Sequence, residues 1–266
     1  MLIQEYAERI YTSSSLTDKL LKPARLEDDE TPASAWKSFS LPARPKGLEL
    51  TGDRERPRFL FPKLHELEDE TRRGHALHFF ANHELLALEL MALMLLRFPD
   101  ANPTFRKTLV NTMRDEQRHL ELYLGRMSEL GVSFGEIPVN SFFYDHIAHV
   151  DSLQDFVVRM SLTFEQANLD FSLFYAKAFK EIGDTVTQGI MEEVLHDEIA
   201  HVPHGVRWFN QWRTRGESMW EAYRKELAFP LTPARAKGMQ FFRAPRQRAG
   251  ALCCASCSAS NQPGPP

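Results

Sequence analysis

Cysteine is nearly absent from the sequence, and its placement excludes a fold held together by disulfides. The chain has 266 residues and three cysteines, Cys253, Cys254 and Cys257, all within the last fourteen residues. The preceding 252 residues must therefore fold without any disulfide, as is usual in a reducing compartment. We expect a cytoplasmic protein and treat the spacing Cys254-x-x-Cys257 as a chance match.

The sequence also lacks features of membrane, secreted and nucleic-acid-binding proteins. No run of about 18 apolar residues is free of charge, and the first residues, which include Glu5 and Glu8, do not resemble a secretory signal. The net charge is −4 and the pI is about 6.2, so a polyanionic partner is not indicated. We expect neither a membrane nor nucleic acid as a partner.

Proline and glycine divide the chain into segments. Residues 23–62 hold six of the sixteen prolines, whereas residues 64–97 contain no proline and a single glycine. Residues 1–62 are therefore predicted to form short helices, with Ser15 as a cap, followed by an irregular arm. Residues 64–97 are predicted to form the first long helix, because their apolar positions repeat with helical period.

Three further long helices follow from capping signals. Asn102 and Pro103 suit a helix start, and Gly131 suits its end. Asp151 and Gln154 resemble a capping box for the third helix.

Gly183 and Asp184 mark the passage into a fourth helix, which runs to about Trp212, and a short helix is predicted at 217–227. A tight link, a long link over 132–150 and a second tight link give an all-α, four-helix bundle with one long crossover. This is the ferritin-like arrangement. We assign it to residues 63–228 and predict disorder for the tail, 229–266, because of its low apolar content.

Two segments of the predicted helices repeat the pattern Glu-x-x-His. The first contains Glu116 and His119, and the second contains Glu198 and His201. Residues three apart share one helix face and can bind one metal ion together. A lone glutamate on an apolar stripe precedes each pair, by 32 residues in the first case and by 33 in the second. The six predicted ligands are Glu84, Glu116, His119, Glu165, Glu198 and His201.

Charge supports metal binding at these positions. Removing four unpaired carboxylates from water into a helical core would cost several kcal/mol of desolvation free energy for each, on the order found for other buried ions. Two divalent cations neutralise all four, with one neutral imidazole for each ion. Ligands that are mostly oxygen favour iron or manganese over zinc or copper. We therefore predict two metal ions as cofactors, with iron preferred and manganese as the alternative.

Other residues are predicted to support the ligands. A ligating imidazole usually donates its second N–H to a carboxylate or carbonyl, and we assign this role crosswise, Asp115 to His201 and Asp197 to His119. Arg118 is expected to pair with one of these aspartates. Tyr123 and His204, one turn beyond the two histidines, are further candidates. Glu89 and Asp170, five residues after each lone glutamate, are interpreted as ion-pair partners of Arg97 or Arg159.

These motifs carry a family resemblance. The sequence Asp-Glu-x-Arg-His at 115–119 resembles the signature of di-iron carboxylate proteins. More closely, the runs from His83 to Leu90, from Phe164 to Asp170 and from Asp197 to His201 resemble the bacterial ferritin-like proteins of domain-of-unknown-function family 455. The resemblance covers roughly residues 40–225. It implies the ferritin-like fold and a dinuclear metal site.

Three functions are compatible with this site. The first is an oxidase or oxygenase that uses O₂ or peroxide, with a small-molecule substrate and an electron donor as partners. The second is metal handling, as a ferroxidase or a storage protein, although the N-terminal arm and the extra C-terminal helix disfavour a cage. The third is a ferritin-like scaffold with structural metals. A monomer or homodimer is expected, and the first function is preferred.

Overall fold

The structure is a computed structural model that describes residues 1–28, 34–50 and 60–252. Throughout these residues the protein is all-α and contains no β-strand. The chain divides into two compact units, Met1–Ala148 and His149–Pro266. Cys253, Cys254, Cys257 and parts of the N-terminal arm lie outside the described residues, and so do the expectations placed on them.

The first unit is built on two long helices. Helices α1 (Ile3–Thr12) and α2 (Leu16–Lys19) precede the irregular arm, and a 3₁₀ turn, Leu64–Glu68, leads into α3 (Glu70–Arg97) and then α4 (Pro103–Glu129). Helices α3 and α4 pack against each other, and α1 packs on α3. The short α5 (Phe142–Ile147) also packs on α3 and lies within the segment that we expected to be a plain connection.

The ends of α4 follow the sequence signals. The side chain of Asn102 accepts a hydrogen bond from the amide of Thr104 at 2.8 Å, and Pro103 occupies the first turn. Gly131, just past the last residue of α4, has a φ of 71°, which a residue with a Cβ rarely adopts. The predicted start and stop of this helix are confirmed.

Helix α3 is apolar enough to resemble a membrane span. By length and composition alone it could cross a bilayer, but 83% of its most apolar 18-residue window is buried inside the protein. A core helix surrounded by its neighbours has the same composition. Burial of α3 within the described structure therefore accounts for its hydropathy.

The second unit contains one long helical run and one long partner helix. The run consists of α6 (Leu153–Arg159), a π-helical segment (Met160–Glu165) and α7 (Gln166–Glu181). Helix α8 (Thr185–Trp212) packs against this run and is followed by α9 (Met219–Glu226). Asp184 caps α8 by accepting from the Thr187 amide at 2.9 Å. Helix α6 starts one residue later than predicted, since Ser152 is its cap and accepts from the Asp155 amide at 3.1 Å.

The π-helical segment was not predicted and is closely packed. Thr163 donates its hydroxyl to the carbonyl of Val158 at 2.7 Å and lies 2.9 Å from the Tyr223 hydroxyl of α9. On the α8 side, Gly205 faces Ser161, and a Cβ at position 205 would lie 2.3 Å from the Ser161 Cβ. The absence of a side chain at 205 is therefore what lets α8 approach the segment that ends at Glu165.

The predicted disorder of the tail is wrong for its described part. A 3₁₀ turn (Pro233–Ala236) and helix α10 (Arg243–Arg248) follow α9, and α10 packs on α7 and α8. Arg246, which composition placed in a solvated tail, is only 4% exposed. It forms an ion pair with Asp170 of α7. Local composition cannot predict this contact, because the two residues are far apart in the sequence.

Candidate metal centre

Three of the predicted ligands converge in the first unit. Glu84 of α3 lies opposite Glu116 and His119 of α4, and one ligand atom from each of the three lies within 4.8 Å of the others. The Nδ1 atom of His119 is 3.2 Å from Oε2 of Glu116 and 3.9 Å from Oε2 of Glu84. The spacing of three residues between Glu116 and His119 puts both side chains on the face that meets α3.

These three side chains are buried. Glu84 is 6% exposed, Glu116 is 2% exposed and His119 is fully covered. Two carboxylates at such a position repel each other and have lost most of their hydration, at a cost of several kcal/mol each. One divalent cation with a neutral imidazole would balance both charges, so this triad fits a metal ion better than it fits an apo core.

The second unit brings together the remaining ligands around His201. One ring nitrogen of His201 lies within 4.8 Å of a carboxylate oxygen of Glu165, and its Nδ1 lies 3.6 Å from Oε2 of Glu198. All three residues are at most 6% exposed. Glu165 is the last residue of the π-helical segment, and such segments frequently occur at functional sites.

Within the described ranges, only one of the two carboxylate oxygens of Glu198 accepts a hydrogen bond. Its Oε1 accepts a hydrogen bond from Nδ2 of Asn168 at 2.9 Å. Its Oε2 is buried and has no hydrogen-bond partner among the described residues. A buried carboxylate oxygen without a donor is costly, and a metal ion would satisfy it. Sequence reasoning missed Asn168, although its position three residues after Glu165 on the same helix face was a usable signal.

The supporting residues predicted from sequence differ in their surroundings. Arg118 pairs with Asp115 at 3.4 Å, as expected. Tyr123 is buried, and its ring centroid lies 5.9 Å from that of Phe80. Asp197 is half-buried, whereas His204 is exposed and so differs from the buried ligand set. The crosswise roles of Asp115 and Asp197 stay a prediction.

Three histidines on the same helix as Glu84 take part in other interactions. His75 lies 3.3 Å from Glu136. His78 accepts a hydrogen bond from the Gly135 amide at 2.9 Å, and burial lowers its pKa to about 4. The ring of His83 stacks on Phe143, with centroids 4.5 Å apart, and burial lowers its pKa to about 4 as well.

The two acidic residues that follow the lone glutamates are buried anchors with unexpected partners. Glu89 pairs with Lys19 at 2.9 Å and with Arg44 at 2.6 Å, and all three side chains are fully buried. Asp170 pairs with Arg246. The predicted partners Arg97 and Arg159 are therefore wrong, because Glu89 and Asp170 pair with other cations. Arg97 donates to the Ala148 carbonyl, and Arg159 pairs with Asp155.

A family model described as "Protein of unknown function (DUF455)" matches residues 3–254. The chain belongs to this family. No curated protein and no solved structure matches the chain. The matched range includes residues of both units, and all six predicted ligands lie within it.

Proposed function

We propose that this protein is ferritin-like and holds a dinuclear iron or iron–manganese centre, with which it acts as an O₂- or peroxide-dependent oxidase or oxygenase on a small molecule. The observation that carries the proposal is the buried convergence of Glu84, Glu116 and His119 within 4.8 Å. The second unit repeats the same donor types in the same order, with Glu165, Glu198 and His201.

Each of the two units supplies two carboxylates and one imidazole. The two negative charges of each set would balance one divalent ion. Glu84, Glu116 and His119 would hold the first ion, and Glu165, Glu198 and His201 the second. The mixture of hard oxygen donors with one nitrogen per ion favours iron or manganese. When bound, either metal would supply one-electron redox chemistry toward O₂ or peroxide.

The contribution of the chain is to position the donors and to exclude water. Every proposed ligand is at most 6% exposed, and a dry site strengthens the electrostatic interactions within it. Pairing Glu with His at a three-residue spacing on a long helix fixes the two donors relative to each other. His119 and His201 must be neutral to bind a metal ion, which couples metal binding to pH.

The test is metal analysis of the protein purified without chelators, followed by anaerobic Fe(II) titration and exposure to air. We expect about two metal ions per chain, as in other carboxylate-bridged bundles, and a new near-ultraviolet absorption band after exposure to air. Glu116→Gln should lose metal while its circular dichroism is unchanged. Glu121→Gln is the matched control, since Glu121 lies on the same helix, is exposed and pairs with Lys22.

The alternatives have distinct outcomes. If the wild-type protein takes up no metal while it remains helical, the six residues form a polar core and the proposal is wrong. If it binds two ions but its spectrum does not change in air, the metals are structural and the oxidase assignment fails. Reductant-dependent oxygen uptake that disappears in Glu116→Gln and persists in Glu121→Gln would support the enzyme.

A further inference from the structure

We propose that Asn168 is a positioning residue that makes Glu198 bind its metal ion through Oε2 alone, so that the two metal positions are inequivalent. This inference rests on the proposed dinuclear site and names a residue outside the six ligands. The residues whose contacts carry it, Asn168, Glu198 and His201, all lie in the second unit.

The two carboxylate oxygens of Glu198 have different surroundings. Oε1 accepts the hydrogen bond from Asn168 at 2.9 Å, and Oε2 lies 3.6 Å from Nδ1 of His201. That second distance is too long for a hydrogen bond, and Oε2 has no hydrogen-bond partner within the described part of the chain. The oxygen on the His201 side is thus the one available to a metal ion.

The direction of the hydrogen bond is determined by chemistry. An ionised carboxylate only accepts hydrogen bonds, so the amide must present its NH₂ group, and not its oxygen, to Glu198. A hydrogen bond to a charged group is stronger than one between neutral groups. Because Glu198 is 1% exposed, water does not compete for Oε1. The amide therefore holds the carboxylate in one orientation.

The first unit has a different residue at the corresponding position. Asn168 follows the lone glutamate Glu165 by three residues, and the residue three after Glu84 is Ala87. Alanine has no side-chain donor, so residue 87 cannot orient the Glu116 carboxylate in the way that Asn168 orients Glu198. Oε2 of Glu116 instead lies 3.2 Å from Nδ1 of His119. The ligand pattern is repeated, but the asparagine that supports it occurs only in the second repeat. The two bound ions should therefore differ in coordination and in affinity.

The experiment is a titration of the metal-free protein with cobalt(II), whose visible absorption reports its coordination number. Asn168→Leu keeps the branched shape of the side chain but cannot donate, and Asn168→Ala reproduces the residue found in the first unit. Asn210→Ala, an exposed asparagine of α8, is the control. The wild-type protein and the control should bind two ions with the same spectrum.

We expect both Asn168 variants to bind one of the two ions 10- to 100-fold more weakly, the range typical of residues that support metal ligands, with the other ion unaffected. The visible absorption of the weakened ion should fall, because a freed Oε1 allows two-oxygen binding and a higher coordination number. This spectroscopic change distinguishes orientation of the ligand from a general structural role.

Three results would overturn the inference. Wild-type affinity and spectrum in Asn168→Leu would mean that the amide only fills space. Equal weakening of both ions in both variants would indicate a global loss of structure. Absence of cobalt binding by the wild-type protein would overturn the dinuclear site as well. In the first two cases the dinuclear site itself stands, so the two failures are distinguishable.

Discussion

Arg246 reaches back 76 residues to form a two-point ion pair with Asp170 inside the second unit. Its Nε lies 3.0 Å from Oδ1 and its Nη2 lies 2.6 Å from Oδ2, and the same arginine donates to the carbonyl of Ala236. The amides of Gly238 and Phe242 also donate to Asp170. One buried carboxylate thus fixes the segment that follows α9.

Arg246→Ala should destabilise the protein by about 3–5 kcal/mol, because it leaves the buried Asp170 charge without its cation. Arg246→Lys keeps the charge but has fewer donors, and its loss should be intermediate. The measurement is urea unfolding followed by circular dichroism. Arg248→Ala, exposed on the same short helix, should change the unfolding free energy by less than about 0.5 kcal/mol. Equal effects at 246 and 248 would contradict the buried pair.

Glu89→Gln should also destabilise the protein by about 3–5 kcal/mol, since it removes the negative charge that faces two buried cations. Lys19 and Arg44 would then lie in the core without a carboxylate. Glu121→Gln breaks the exposed pair with Lys22 and should cost at most about 1 kcal/mol. Chemical unfolding of both variants under the same conditions gives the comparison. A Glu89 variant as stable as the Glu121 variant would show that the cluster contributes nothing.

Gly205→Ala should destabilise the protein by about 1–3 kcal/mol, the usual cost of overpacking, because its Cβ would lie 2.3 Å from that of Ser161. Gly189→Ala is a matched control on the same helix, where a Cβ would meet nothing within 4 Å. That variant should gain up to about 1 kcal/mol from helix propensity. Thermal unfolding of both variants tests the expected opposite signs, and Ser161→Gly should restore part of the stability of Gly205→Ala.

His78 should make the protein sensitive to mild acid. Burial lowers its pKa from 6.5 to about 4. The charge of Glu136 raises this pKa and that of His75 lowers it, but both effects are smaller than that of burial. The unfolded chain therefore binds more protons between these pH values. Stability from this residue is complete above about pH 6.5 and is lost as the pH falls toward 4, by about 3 kcal/mol in total.

His78→Gln should flatten the dependence of the unfolding free energy on pH in this window, because glutamine does not titrate and its oxygen can still accept from the Gly135 amide. His65→Gln, at an exposed position, should leave the dependence as it is in the wild-type protein. If both variants keep the wild-type pH profile, His78 is not the group responsible.

The parts of the structure that were predictable are those with local causes. The starts of two helices could be predicted from Asn102, Pro103 and Asp184, because a capping side chain accepts a hydrogen bond from an amide two or three residues further along the chain. Glu116 and His119 could be assigned to one face because a helix repeats every 3.6 residues. The π-helical segment was not foreseen, since Met160–Glu165 contains neither proline nor glycine and is compatible with an ordinary helix. The partners of Asn168 and Arg246 lie 30 and 76 residues away, so local patterns do not identify these two contacts.

The two anchors differ in the order in which a ribosome delivers them. Lys19 and Arg44 precede Glu89 in the chain, so both cations exist before the carboxylate that they neutralise is made. Arg246 comes 76 residues after Asp170, and at the usual speed of translation this corresponds to a delay of about 4–15 seconds. During that interval Asp170 lacks its cation, so the segment that Asp170 holds in place can reach its final packing only after Arg246 has been made.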